Sequence, residues 1–240
     1  MWSEPLGAVR IMKLFKLHTL SKRHELRLVL SLGLPLALLV LVFLSADRAK
    51  TAESSGVFRS EVQAKLEYCQ DCHGPSGQGY RGFFPIPRLA GQQAEYLKNQ
   101  LQAFVEHRRT NNIMFNVAHT LSPAMIAALA ANFEARDPKP FGGGQRSLVA
   151  TGEKIFQNGV PDANVAACAA CHGPDARGSG EIPRLAGQLP DYIFDKLTNW
   201  SKERGQNPKK PDISAVMSPV AHSLTKAEVE AVAAYLSYLK

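Results

Sequence analysis

The sequence predicts an all-α fold in two tandem copies of one small helical domain, preceded by an apolar N-terminal segment. Three observations carry this. No useful stretch alternates polar and apolar residues with period two, so no strand is predicted. Helix-start signals precede several amphipathic runs, as in Ser122-Pro123 and Thr225-x-x-Glu228. The second half also repeats the first, motif by motif: Cys72-His73-Gly74-Pro75 returns as Cys171-His172-Gly173-Pro174, and Ile86-Pro87-Arg88-Leu89-Ala90-Gly91-Gln92 returns as Ile182-Pro183-Arg184-Leu185-Ala186-Gly187-Gln188. The offset between copies drifts from 99 to 96 and then to 103 at Met114/Met217. Such a drift fits a duplicated domain altered by one three-residue deletion and one seven-residue insertion, and not a short-period solenoid.

In chain order, residues 1–27 form a basic segment and residues 28–46 an uncharged run of 19, about the length that crosses a bilayer core. With Arg10, Lys13, Lys16, Lys22, Arg23 and Arg27 ahead of it, this run reads as a transmembrane anchor that keeps the N-terminus in the cytoplasm and the following domains in the periplasm. A cleaved signal peptide is the alternative; Leu44-Ser45-Ala46 is a poor cleavage match and the basic region is long, although Met12 could be the true start. The first domain is assigned to residues 57–137, with helices expected over 61–72, 94–107 and 123–136. Its first helix is expected to be short, without the Gly152-x-x-x-Phe156 element of the second copy. Residues 138–145, holding two prolines and three glycines, read as a linker. The second domain takes residues 146–240, with helices expected over 148–158, 190–203 and 226–239.

Charge excludes one class of partner. The chain is formally +7, but +5 of that lies in its first 50 residues, and no basic stripe interleaved with aromatics follows, so no nucleic acid is expected as a partner.

All four cysteines fall in two Cys-x-x-Cys-His motifs, Cys69-Gln70-Asp71-Cys72-His73 and Cys168-Ala169-Ala170-Cys171-His172. The pentapeptide is the attachment pattern for a c-type haem. Two thiols one helical turn apart reach the two vinyl groups of one porphyrin, and the adjacent imidazole reaches its iron. A four-thiolate zinc site would use paired knuckles closer in sequence than 99 residues and would not need the histidines. A thioredoxin-like pair needs an alternating strand and helix context, and disulfides leave the histidines unexplained. Two covalently bound haem c groups are therefore expected, with His73 and His172 as iron ligands. Domains of this size are hard put to bury enough apolar surface unaided, and a porphyrin supplies the missing core.

The repeated Cys-x-x-Cys-His-Gly, Pro-x-Leu-Ala-Gly-Gln followed by Tyr96 or Tyr192, and a methionine just upstream of each last helix make the chain resemble the dihaem cytochromes c of the c4 family, two class I cytochrome c domains in tandem, from about Val57 to Lys240. The resemblance implies Met114 and Met217 as sixth iron ligands and the carbonyls of Pro87 and Pro183 as acceptors for the ligand histidines. Thioether ligation would raise the potential and fill both axial positions, which suits a carrier and leaves no open site for a substrate. His119 and His222, five residues past each methionine, are the competing ligands. Arg88 and Arg184 lie close enough in sequence to pair with haem propionates, as do Tyr96 and Tyr192. Leu89, Leu185, Phe104, Trp200, Tyr235 and Leu236 are assigned to the pocket or core, and His107, which has Glu203 in its place in the second copy, to a solvated helix surface.

The expected function is a periplasm-facing dihaem electron carrier, not an enzyme. The resemblance implies a quinol-oxidising complex (a quinol:cytochrome c oxidoreductase) as donor and a terminal oxidase as acceptor, with the inner membrane holding the N-terminal helix. The alternatives are a dihaem peroxidase, a sulfur-compound-oxidising cytochrome and an oxidase-associated subunit.

Overall fold

A computed structural model describes residues 55–204, 209 and 213–240. The proposed anchor at 28–46 lies outside the described residues, and so does most of the stretch at 205–212, where the second copy is longer than the first. Among the described residues the chain is helical, with only isolated bridges and no strands. No single described helix is long and apolar enough to cross a membrane.

In the first copy, α1 (55–73) runs without a break into the first Cys-x-x-Cys-His motif, so it is longer than the sequence suggested. The second copy interrupts the same path. Its α5 (Val149–Asn158) stops at Gly159, which has φ 72°, and Pro161 then opens a short 3-10 turn. The motif itself resumes in α6 (Ala169–His172). Nothing between Ser60 and Cys69 breaks a helix, whereas Gly159 and Pro161 do.

Helix α2 (Ala94–Val105) ends earlier than expected because His107 adopts φ 56°, a left-handed conformation that no helix continues through. His107 is therefore not on a helix; its ring stacks on Phe115, which in turn stacks on His119. Helix α3 (Asn112–Ala118), capped by the Asn111 side chain, was not anticipated. Helix α4 (Pro123–Glu134) begins as predicted, with Ser122 accepting from the Met125 N–H. In the second copy the expected single helix over 190–203 is two, α7 (Pro190–Thr198) and α8 (Trp200–Glu203), divided at Asn199. Helix α9 (Met217–Ser223) then precedes α10 (Lys226–Tyr238), which carries the predicted Thr225/Glu228 capping box.

Each copy has its own core. In the first, α2 packs on α3 and α4 through Leu97, Phe104, Met125, Ile126, Leu129 and Phe133. In the second, α10 packs on α5 and α7 around Phe156, Ile193, Val232 and Leu236. Of the residues assigned to the core or pocket, Phe104, Tyr235 and Leu236 are buried, while Leu89, Leu185 and Trp200 are only half-buried.

Candidate haem sites and the seam between them

Both motif histidines are buried and held the same way. The Nδ1 atom of His73 lies 2.9 Å from the Pro87 carbonyl, and that of His172 lies 3.0 Å from the Pro183 carbonyl. The carbonyl oxygen can only accept, so Nδ1 carries the proton and Nε2 is left unprotonated, the form able to bind a metal. Burial pushes both imidazoles below the usual histidine range, with the proline carbonyl pulling partly the other way. A neutral imidazole is the form that binds iron.

The same backbone scaffold builds both sites. The N–H of Gly79 donates to the His73 carbonyl and that of Gly178 to the His172 carbonyl, each at 2.8 Å. The Gly77 carbonyl accepts from Leu89 and Ala90, and the Ala176 carbonyl from Leu185 and Ala186. Gly77 has φ 73° and its counterpart Ala176 has φ 57°, so the turn demands a left-handed residue even where the second copy has no glycine. Directly before each proline lies a bridge, Tyr80 with Ile86 and Ser179 with Ile182. Five residues are looped out in the first copy and two in the second, which locates the three-residue difference between the copies.

The donors fit a covalently attached porphyrin. Cys72 and Cys171 are exposed and Cys69 and Cys168 half-buried, all four as free thiols. Burial raises the Cys69 and Cys168 thiols above their ordinary range. Among the described residues no three or more His, Cys, Asp or Glu side chains gather, so the thiols form no tetrahedral donor set for zinc. Met114 sits in the first turn of α3 and Met217 opens α9, both half-buried at matching places. His119 and His222 are exposed, and each directs Nδ1 at the carbonyl four residues back, at 3.0 Å from Phe115 and 2.7 Å from Ser218. The Nε2 of His222 also meets the Ser201 hydroxyl at 2.7 Å.

Arg88 and Arg184 lie in a buried seam between the two copies. Gln188 Oε1 accepts from the Arg88 N–H at 2.8 Å while its Nε2 donates to the Arg88 carbonyl at 3.0 Å. Gln92 grips Arg184 in the same manner, at 2.7 and 3.0 Å. The Arg88 and Arg184 guanidinium groups approach Asp137 at 3.7 and 3.9 Å. Terminal nitrogens on both, Nη1 and Nη2 of Arg88 and Nη2 of Arg184, are buried without a hydrogen-bond partner. Orphaned buried donors of this kind suit the carboxylates of a bound group. Tyr192 accepts from Arg109 at 2.8 Å, and Arg109 and Arg204 form a backbone bridge across the seam. Gln92, Gln188, Arg109 and Arg204 went unassigned from sequence, although both glutamines close the repeated heptapeptide and Arg204 repeats Arg108.

The family model for cytochrome c matches residues 62–135 and again 149–240. The chain is also 36% identical over 176 residues to cytochrome c4 of Thiocapsa roseopersicina, covering 71% of this chain and 86% of that protein. It belongs to the cytochrome c family, in its dihaem c4 branch. This cytochrome matches the solved structure of Acidithiobacillus ferrooxidans cytochrome c4 with a TM-score of 0.61 at 37% identity, over 71% of this chain and 98% of that one. It is also 33% identical over 213 residues to a thiosulfate dehydrogenase electron acceptor from Stutzerimonas stutzeri, covering 86% of this chain and 95% of the relative. The cytochrome binds covalent haem c, its two motifs at Cys69/Cys72 and Cys168/Cys171 fit two such groups, and it is a cytochrome c4-like electron carrier.

Its two attachment sites are chemically unlike at the surface. A cleft at Cys72 is lined by Glu67, Gln70, Asp71 and Tyr80, and the adjoining loop exposes Phe83 and Phe84 almost fully. The corresponding residues of the second copy are Ala166, Ala169, Ala170 and Ser179, with no aromatic in the shortened loop.

Proposed function

We propose that this cytochrome carries electrons in a periplasmic respiratory chain, taking them from a quinol:cytochrome c oxidoreductase and passing them to a terminal oxidase, while the 28–46 segment holds it in the inner membrane. Its haem domains are residues 57–137 and 146–240, joined by a linker at 138–145. Bound haem supplies a one-electron ferric/ferrous couple. His73 and His172 would bind iron through Nε2, with Met114 and Met217 as the sixth ligands. Pro87 and Pro183 fix the imidazole orientation, and Arg88, Arg184, Tyr96 and Tyr192 would pair with the propionates. The observation that carries the reading is the duplicated His–Pro carbonyl pair, each buried and each beside its own pair of thiols. His222 with both nitrogens engaged favours methionine over histidine as the sixth ligand. Unlike surfaces at the two attachment sites support separate donor and acceptor docking.

A second reading keeps the carrier role and changes the donor. Similarity to thiosulfate dehydrogenase electron acceptors favours such a dehydrogenase as the source of electrons. A spectroscopic redox titration of the purified holoprotein tests the core proposal: two haems, each low-spin with a methionine charge-transfer band, are expected, and an exchangeable water at either iron would overturn it. Reduction by quinol and its oxidoreductase against reduction by thiosulfate and its dehydrogenase separates the two donors, and retention in carbonate-washed membranes tests the anchor.

A further inference from the structure

We infer that Gln188 and Gln92 are positioning residues that act across the seam, each setting the donor strength of the iron-binding imidazole in the other domain through a single peptide group. The inference rests on the reading of His73 and His172 as axial ligands. The Pro87–Arg88 peptide is engaged at both ends: its carbonyl accepts from His73 Nδ1–H at 2.9 Å, and its N–H donates to Gln188 Oε1 at 2.8 Å. The Pro183–Arg184 peptide is engaged likewise, by His172 at 3.0 Å and by Gln92 Oε1 at 2.7 Å. Each histidine is thus tied to a glutamine of the opposite repeat by two hydrogen bonds sharing one amide.

The glutamine orientation is fixed by its partners. Gln188 Oε1 accepts a second N–H, from Leu189 at 3.0 Å, while Nε2 meets a carbonyl; Gln92 Oε1 likewise accepts from Gln93 at 3.0 Å. A flipped amide would set donor against donor twice, so the acceptor faces the arginine N–H in both. His73, Arg88 and Gln188 are all buried, as are His172, Arg184 and Gln92, so the chains run through low dielectric, where hydrogen bonds in series polarise one another.

The direction follows from the peptide's delocalisation. Withdrawing the proton of the N–H toward Gln188 Oε1 puts more negative charge on the Pro87 oxygen. That oxygen holds the His73 Nδ1 proton more strongly, which raises the basicity of Nε2. A more basic imidazole favours the ferric state of the iron it binds. Removing the Gln188 amide therefore weakens this push on the first domain's iron, although Gln188 belongs to the second. No proton or bond is exchanged: one electron enters or leaves each centre, and Nδ1–H stays on its nitrogen.

The test uses the holoprotein with Gln188→Met and, separately, Gln92→Met, which keep side-chain volume and remove the amide. At fixed applied potential, Gln188→Met is expected to raise the ferrous-to-ferric ratio of the first domain's haem about two- to fivefold, leaving the second nearly unchanged. Gln92→Met is expected to do the reverse. The haems are told apart by assigned hyperfine-shifted NMR signals. A merely structural loosening of the seam would move both haems alike, and that result overturns the inference, as does movement of the haem in the substituted domain or of neither. Should a variant fail to load haem, redox-difference infrared spectra of wild-type protein labelled with carbon-13 glutamine serve instead. A side-chain carbonyl band that shifts on reduction is expected, and a silent one overturns the inference. Absence of a hyperfine-shifted Nδ1–H signal in wild type sinks the ligation reading itself; its presence, unmoved in Gln188→Met, sinks only the relay.

Discussion

Gly152 in α5 lies directly against the carbonyl of Ala231 in α10, so close that a Cβ at position 152 would overlap that oxygen and stand 2.9 Å from Cβ of Tyr235. The contact is backbone on both sides and cannot yield by a side-chain rotation. It sets the crossing of the two helices that enclose the second core.

Gly152→Ala is therefore expected to destabilise the second domain by about 3 kcal/mol, the upper range for overpacking. Chemical denaturation of the holoprotein, followed at assigned NMR signals of each domain, should show the loss in the second domain alone.

The capping box at α10 gives a pH signature. The Thr225 side chain, and then its backbone N–H, hold the Glu228 carboxyl below the usual glutamate range. A depressed carboxyl stabilises fully above its unfolded value and loses that contribution as pH falls through its folded one. Thr225→Ala should cost about 1 kcal/mol at neutral pH. Glu228→Gln should lower Tm at neutral pH, and its gap from wild type should close on acidification through the carboxylate range.

Asp137 stands between two buried guanidiniums of like charge. Arg88 is pushed down to about 10 by burial first and by Arg184 next, with Asp137 pulling it back up. Asp137→Asn should destabilise the protein by no more than about 1 kcal/mol, because the carboxylate is half exposed and the pairs are long. Urea titrations at low and high salt check this; the difference from wild type should shrink as salt screens the charges.

Substituting each axial methionine separates the two sites. Met114→Ala and Met217→Ala should each remove about half of the methionine charge-transfer absorbance and admit cyanide to one haem per molecule. Loss of the whole band from either single variant would contradict one methionine per iron.

The duplicated fold, the haem motifs and the cap residues at Ser122 and Thr225 could all be read from the chain, because each depends on local spacing. The proline carbonyls were anticipated only through the family resemblance, and the structure places them on the histidines. Helix ends were less legible: α2 stops because His107 turns left-handed, and α7 parts from α8 at Asn199, choices made by tertiary packing and not by local pattern. The seam was illegible for a different reason. Gln92 and Gln188 are polar residues whose partners lie 92 and 100 positions away, and no periodicity encodes which backbone a buried amide will meet.

The bridges from Tyr80 to Ile86 and from Ser179 to Ile182 close each loop just before the proline that holds the histidine. Whether the stretch between those closed ends holds two residues or five, aromatic or not, the histidine meets its proline carbonyl at the same range, 2.9 and 3.0 Å. The surface at one attachment site can thus differ from that at the other while the backbone acceptor of each histidine is retained.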